Sequence, residues 1–406
     1  MAIKAQAKSL QENMAWNSIG SLIYLGCNWL TTVLVVTLST DYADSGKFAV
    51  AMAVGSLTAA IVLFKVRPVQ VSSLQSETAA GDFVGLRVVC TLFALIFTVV
   101  YCLISVAPEN HLVVALYALF KVAESFVDVY HGLFQQHNRL DYAGKSQIVR
   151  GVLALVSFYV GLAVFNSLVL SIFLMFLSSV AAIMIYDMPR ARAFASVTPR
   201  FNQKTIGRLL KKCAAGFVSS LLITMIVSVA RQSFGLSYGN EVLGRYAAVA
   251  TPCVIVQAIA YYVYAPLYNS IGEMKSNHDG KALRKLVFIV TGVILGLMAA
   301  CLLLALLFGK AALSLLYGET IENYAYLLYG ALLCTGGFAI LSFMLDTLII
   351  FGRDRLVFLF SVIPVLVCLG GTSFLTCDPN SISILVLVSY SSAILPLFAF
   401  FTKADC

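Results

Sequence analysis

Leu286–Phe308 reads LVFIVTGVILGLMAACLLLALLF, an apolar run without a single charged side chain. Crossing a hydrocarbon core of about 30 Å takes roughly 20 predominantly apolar residues in a helix. Working outward from this run, segments of the same kind fall near 16–38, 48–66, 83–107, 111–131, 148–166, 168–186, 213–235, 243–268, 324–350, 355–375 and 382–402. The division between 148–166 and 168–186 rests on a turn at Phe165, Asn166 and Ser167 inside one apolar block, and without it the helix count would be odd. The composition agrees. Only 11% of the 406 residues are charged, against about 25% in a typical soluble domain. Hydrophobic residues make up 60% and the mean hydropathy is +0.92. Too few charges are present to cover a water-soluble fold, so the predicted class is all-α: a polytopic integral membrane protein of about twelve helices.

Lys and Arg in short loops are retained on the cytoplasmic side. Most of the 27 cations collect on one side of the predicted helices: Lys4 and Lys8; Lys65, Arg67 and Arg87; Arg139, Lys145 and Arg150; the run from Arg190 to Lys212; Lys275 to Lys285; Arg353, Arg355 and Lys403. Lys47, Arg245 and Lys310 fall on the other. The alternation predicts cytoplasmic termini and an even number of helices, and it reads the net charge of +8 as topology and not as a nucleic-acid surface. Met1 to Ala15 is polar and lacks a small-residue cleavage site before the first apolar run, the pattern of an uncleaved anchor. The ten cysteines fall mostly inside apolar segments without paired spacing, as packing residues do.

Asp187 to Lys212 is the longest hydrophilic connection. It predicts a six-helix bundle over 1–186, a basic cytoplasmic linker over 187–212 and a second six-helix bundle over 213–406. Transporters built of repeated halves carry substrate and ion sites near the midplane, which directs attention to polar stripes at matching positions. Asn17, Ser21, Tyr24, Asn28 and Thr31 share one face of the first helix; Ser220, Thr224, Ser228 and Arg231 share one face of the seventh. Tyr117, Lys121, Glu124, Asp128 and His131 line the fourth helix, and Thr335, Ser342 and Asp346 the tenth.

A charged side chain at mid-membrane costs at least about 2.5–3.5 kcal/mol on insertion scales and therefore has a paired or functional reason. Two readings fit Lys121, Glu124 and Asp128. Either they neutralise one another along the helix, or they face a water-filled cavity in which Lys121 attracts an anionic substrate and Glu124, Asp128 or Asp346 takes up a proton or binds a cation. Arg231 either snorkels to the outer headgroups or contacts substrate. Gln257, Tyr261, Tyr264 and Tyr268 form a stripe on the eighth helix that could stack on sugars or anchor at the interface. Gly235 with Gly239 and Gly292 with Gly296 have the spacing that lets membrane helices pack closely. No phosphate-binding Gly-rich loop, HExxH or CxxC pair is present. The short outer loops leave little room for an enzyme active site.

Asn17 to Gly20, the run Arg67-Pro-Val-Gln-Val-Ser72, Gly239-Asn-Glu-Val-Leu-Gly-Arg-Tyr246, Leu316-Tyr-Gly318 and Gly352-Arg-Asp-Arg355 occur in this order along nearly the whole chain. Together they resemble the Wzx-type polysaccharide repeat-unit flippases of the multidrug, oligosaccharidyl-lipid and polysaccharide exporter superfamily. The resemblance implies two six-helix bundles forming a V-shaped cavity in a bacterial inner membrane. It implies a substrate as well: an undecaprenyl-diphosphate-linked oligosaccharide for O-antigen of lipopolysaccharide, capsule or a similar glycan, moved to the outer leaflet without a cofactor but with proton or sodium coupling. Arg67, Lys121 and Arg231 would meet the diphosphate by Coulomb attraction, beside Tyr24, Asn28, Gln257 and Tyr261. Membrane lipids, a polysaccharide polymerase and a chain-length regulator are the implied partners. The competing readings are a multidrug or cation antiporter of the same superfamily, a membrane glycan polymerase or ligase, and a non-transporting scaffold.

Overall fold

The computed structural model describes residues 10–39, 42–72, 78–264, 267, 271, 274, 275, 277 and 279–403; Lys4, Lys8 and Tyr268 lie outside them. The described residues form helices joined by short connections, with no strand among them. This is what lipid requires, since a helix satisfies its own backbone N–H and C=O groups where no water can. In chain order the helices are α1 Leu10–Leu38, α2 Tyr42–Leu63, α3 Val66–Ser72, α4 Ala80–Ser105, α5 His111–Phe126, α6 Asp128–Gln136, α7 Leu140–Ala163 and α8 Leu168–Ala182. A π-helical turn, Ile183–Asp187, leads into α9 Met188–Phe194. Then come α10 Gln203–Tyr238, α11 Asn240–Ala250, α12 Val254–Tyr264, α13 Gly280–Tyr317, α14 Leu327–Phe351, α15 Asp354–Gly371 and α16 Asn380–Lys403.

Eleven helical stretches among the described residues are long and apolar enough to cross a membrane. The expected segment 111–131 is helical too, but it is interrupted at Val127, so neither α5 nor α6 reaches that length. The chain tightens at this point: the Tyr130 N–H bonds the Val127 carbonyl at 2.9 Å, the three-residue spacing of a 3-10 turn. The turn that separates α7 from α8 is present. Asn166 sits at φ 47°, and the Ser167 hydroxyl caps α8 by accepting the Leu170 N–H at 3.3 Å. Thr251-Pro252-Cys253 forms a 3-10 turn between α11 and α12, where proline cannot donate a backbone hydrogen bond. Burial is inverted relative to a soluble protein. Leu103, Ile104, Leu307, Leu315 and Leu395 lie on the outside, whereas Arg87, Asp141 and Asp187 are fully enclosed. The chain is a multi-pass α-helical membrane protein.

Two compact units divide it: Met1–Thr40 with Val50–Phe217, and Asp41–Ala49 with Val218–Cys406, so the division runs within α2 and within α10. The expected linker 187–212 holds the end of the π turn, α9 and the first turns of α10. α9 is packed onto the first unit by Phe194, whose ring meets those of Phe134, His137 and Tyr142. Within the first unit, α1 lies directly against α7. A Cβ on Gly20 would come within 2.2 Å of the Gly144 carbonyl oxygen, and one on Gly144 within 2.1 Å of the Trp16 carbonyl oxygen. Small residues permit this backbone approach between membrane helices. Gly144→Ala must push α1 and α7 apart, an overpacking cost of about 1–3 kcal/mol. A lowered unfolding midpoint in detergent checks this, and an unchanged midpoint would refute it. The spacing of Gly292 and Gly296 predicts a similar approach, but both glycines face open space on the exposed side of α13.

In the second unit, α14 is central and packs against α12, α13, α15 and α16. Phe343, Met344 and Leu345 are fully enclosed, and Tyr390 of α16 lies beside Gly337. At the start of α2, Gly46 permits contact with the Asn240 backbone, and the Ser45 hydroxyl donates to the Gly244 carbonyl at 3.3 Å. The Gly239-Asn-Glu-Val-Leu-Gly run thus marks the place where α11 meets α2. Gly235-x-Ser237-x-Gly239 has the spacing of a nucleophile elbow. It closes helix α10 with Ser237 exposed and lacks the strand-to-helix turn such an elbow needs.

Candidate functional site

The polar stripe of the fourth expected helix leads into the interior of the first unit. Glu124, in the last turn of α5, forms an ion pair with Arg150 of α7 at 2.7 Å, with the two side chains only 5% and 4% exposed. Tyr24 of α1 and Ser179 of α8 both donate hydroxyl hydrogen bonds to the same carboxylate. Four helices thus converge on one buried acid. Next to it on α1, Ser21 donates to Gln147 of α7 at 2.9 Å.

Asp128, at the head of α6, receives two guanidiniums. Arg67 of α3 reaches one oxygen at 3.1 Å and Arg87 of α4 reaches the other at 3.0 Å. The Arg87 side chain is wholly buried and donates a further hydrogen bond to the Val62 carbonyl at 2.6 Å. Arg67 stays 30% exposed, and its Nε donates to Gln135 at 3.2 Å. α3 can reach Asp128 because the chain breaks left-handed at Phe64 and Lys65, with φ of 45° and 50°. Gln70 then pins α3 to α6 by donating to the Val129 carbonyl at 2.9 Å.

A third centre lies at the π turn. His131 Nε2 is 3.4 Å from Asp187 Oδ1 and 3.2 Å from Ser146 Oγ. The Ser146 hydroxyl donates to Asp187 Oδ2 at 2.9 Å and accepts from Arg150 Nε at 3.2 Å. Through Ser146 the His131–Asp187 pair is joined to Arg150 and so to Glu124. Toward the α6–α7 connection, Arg139 clasps Asp141 with two bonds at 2.7 and 3.0 Å, and the Asp141 N–H is capped by Asn13. The clasp raises the Arg139 pKa further above its ordinary value, so Arg139 is a fixed cation.

The structure divides the residues singled out from the sequence between the two units. Tyr24, Arg67, Glu124 and Asp128 take part in the networks of the first. Lys121 acts on Glu124 through its charge along α5 but forms no ion pair among the described residues; its ammonium rests over the rings of Tyr117 and Phe120, at 5.4 and 5.3 Å. The ion pairs of the carboxylates come from other helices. The Asn28 amide bonds the Tyr24 carbonyl of its own helix at 2.8 Å. In the second unit, Arg231 lies 5.9 Å from the Tyr246 ring, and Tyr261 is half exposed and packs edge-on against Tyr264. Gln257 is partly buried on the same helix, and Asp346 of α14 interacts electrostatically with Tyr264.

Arg87, Arg150, Ser146, Ser179 and Asp187 escaped the sequence reading as site residues. The sequence groups Arg87 and Arg150 with the cations of the cytoplasmic side; the structure gives each a buried acid as partner. α7 begins at Leu140, not near 148, and α4 at Ala80, so both arginines sit well inside helices. The polar first turns of α7 disguised its start; an arginine within a continuous helix, a multiple of a turn from other polar residues, was the available signal. Among the described residues, no three His, Cys, Asp or Glu side chains gather to hold a metal ion.

The sequence profile of the polysaccharide biosynthesis protein family matches residues 66–268, the region that holds the three buried carboxylates and their arginine and histidine partners. The capsular polysaccharide biosynthesis protein CapF of Staphylococcus aureus is 23% identical over 413 residues, covering 97% of this chain and 99% of that protein. Among solved structures, an inward-facing multidrug resistance MATE family transporter of the MOP superfamily superposes with a TM-score of 0.69 at 12% identity, over 97% of this chain and 100% of its own. The lipid II flippase MurJ in an inward closed conformation gives 0.62 at 9% identity, over 96% and 87%. VcmN, a MATE transporter of Vibrio cholerae, gives 0.61 at 15%, over 98% and 97%. At these identities the likeness establishes a shared fold.

Proposed function

Because the chain belongs to the polysaccharide biosynthesis protein family, we propose that it is a flippase. It carries undecaprenyl-diphosphate-linked oligosaccharide repeat units from the cytoplasmic to the outer leaflet of a bacterial inner membrane by alternating access, driven by an ion. Capsule or O-antigen assembly is the pathway, with a polymerase and chain-length regulator receiving the product. One observation carries the reading: a family that makes polysaccharide is joined here to a fold shared with transporters and MurJ, and this fold encloses charged networks inside a membrane-embedded bundle.

The cations divide accordingly. Arg87 and Arg150 are locked in ion pairs and buried, whereas Arg67 and Lys121 keep part of their side chains exposed. In the first unit the substrate diphosphate therefore falls to Arg67 and Lys121, with Tyr24 and Asn28 as polar contacts; in the second unit the corresponding contacts are Arg231, Gln257 and Tyr261. Charge attraction in a low-dielectric interior is far stronger than in water.

The test is to delete the gene in its host and locate the lipid-linked oligosaccharide with a probe that reaches only the outer face. The expected result is accumulation in the cytoplasmic leaflet with loss of surface polymer, restored by the intact gene. Single repeat units exposed on the outer face would replace the reading with polymerisation. Unchanged glycan would replace it with drug or cation antiport.

A further inference from the structure

We propose that the coupling ion is a proton and that it binds at the His131–Asp187 pair beside the π turn, not at Glu124 or Asp128. The inference rests on the transport reading above. Its grounds are a count of buried charge and the direction of each hydrogen bond.

Glu124 is matched by Arg150, and Asp128 by Arg67 and Arg87. Protonating either carboxylate would strand a buried guanidinium, which cannot shed its own charge. Asp187 differs. Among the described residues its ion-pair partner is the imidazole of His131, its Oδ1 accepts no hydrogen bond, and Oδ2 is held by the neutral Ser146 hydroxyl. The three carboxylates are already matched in charge by the three arginines, with the part-exposed Lys121 also acting on Glu124, so no negative charge is left over while His131 is neutral. A single proton makes it a cation.

The hydrogen bonds say which atom takes that proton. Ser146 has one hydroxyl hydrogen, directed to Asp187, and its oxygen accepts from Arg150. Both atoms facing His131 Nε2, Ser146 Oγ and Asp187 Oδ1, are therefore acceptors, and Nε2 carries the hydrogen of the neutral ring. Nδ1 is then the basic nitrogen. A proton arriving there forms an imidazolium whose charge Asp187 offsets across Nε2, and release from Nδ1 restores the neutral ring.

α5, which meets α6, presents Lys121 and Glu124, the latter paired with Arg150. α3 presents Arg67, and α4 presents Arg87, both engaged by Asp128 on α6 itself. α7 presents Ser146 and Arg150, and α9 presents Arg192, which acts on Tyr130, and Arg190, stacked on Tyr186. Burial opposes the imidazolium most, Asp187 favours it, and Arg150 and Arg67 oppose it in turn, so motion of Arg67 toward an anionic substrate would favour proton uptake. A π-helical turn at the acidic partner adds a separate mark, because such turns are rare and often sit at functional sites. Histidine is the side chain whose ordinary range lies where a cell's proton gradient operates.

The experiment is a pH titration, from 5 to 8.5, of the full-length protein in lipid nanodiscs with 15N-labelled histidine, followed by the ring nitrogen resonances. His131→Asn assigns the signal among the four histidines. The expected result is a His131 ring that gains its proton at Nδ1 within the range, with a midpoint lowered by roughly one unit or more in Asp187→Asn, which removes the offsetting charge. A His131 ring that keeps one state throughout, or titrates identically in Asp187→Asn, would overturn the proposal. In the host, His131→Asn and Asp187→Asn at normal membrane abundance should cut surface polymer, whereas His111→Asn should not. The titration needs no substrate. A failed leaflet assay would thus count against the flippase reading alone, and a flat titration against the proton site alone.

Discussion

Arg150→Met will destabilise the protein more than the loss of one surface charge ever would, because it leaves the Glu124 carboxylate buried among α1, α5, α7 and α8 without a counter-ion. Breaking a buried pair by removing one partner costs about 3–5 kcal/mol. The unfolding midpoint in detergent and the amount of protein in the membrane should both fall sharply. Adding Glu124→Gln should return much of the loss, since the neutral amide needs no counter-ion and can accept from one of the two hydroxyls, Tyr24 or Ser179, while donating to the other. A coupling of about 1–3 kcal/mol between the two positions is expected. Single effects that simply add would mean the pair does not stabilise the bundle as a pair.

Asp128→Ala is the second large effect, and it separates stability from transport. It strips the counter-ion from Arg87, whose side chain is fully enclosed and is left with the Val62 carbonyl alone. A cost of about 3–5 kcal/mol follows. Arg67→Gln behaves differently. Arg67 is partly exposed, and its removal leaves Asp128 held by Arg87, so the unfolding midpoint should move little. Export of lipid-linked oligosaccharide should fall all the same, since Arg67 is proposed to meet the diphosphate. Measuring surface polymer and the unfolding midpoint side by side checks both. Normal export in Arg67→Gln would remove Arg67 from the substrate contacts, and a stable Asp128→Ala would show that Arg87 finds another partner.

The two variants also show where reading residues in order reaches its limit. The stripe Lys121, Glu124, Asp128 correctly marked a polar face turned away from lipid. It suggested partners along the helix; Lys121 does act on Glu124, but the ion pairs come from Arg150, Arg67 and Arg87 on other helices. The turn at Asn166 was legible because it interrupts an apolar block at a residue that tolerates positive φ. The break at Val127 was not, since nothing in Ser125, Phe126 or Val127 signals one.

What the amino-acid sequence determined by itself was the solvent. Apolar length and scarcity of charge are sums over neighbouring residues, so they survive without knowledge of any contact, and they specify a multi-pass helical membrane protein. What only the tertiary structure decided was which charges neutralise which. Tyr24 lies 100 residues from Glu124, Ser179 lies 55 from it, and Arg87 lies 41 from Asp128. A cation near a helix start looks the same in sequence whether it faces headgroups or a buried acid. The cost of an unpaired buried charge separates the two, and that cost exists only once helices distant in the chain have closed around it.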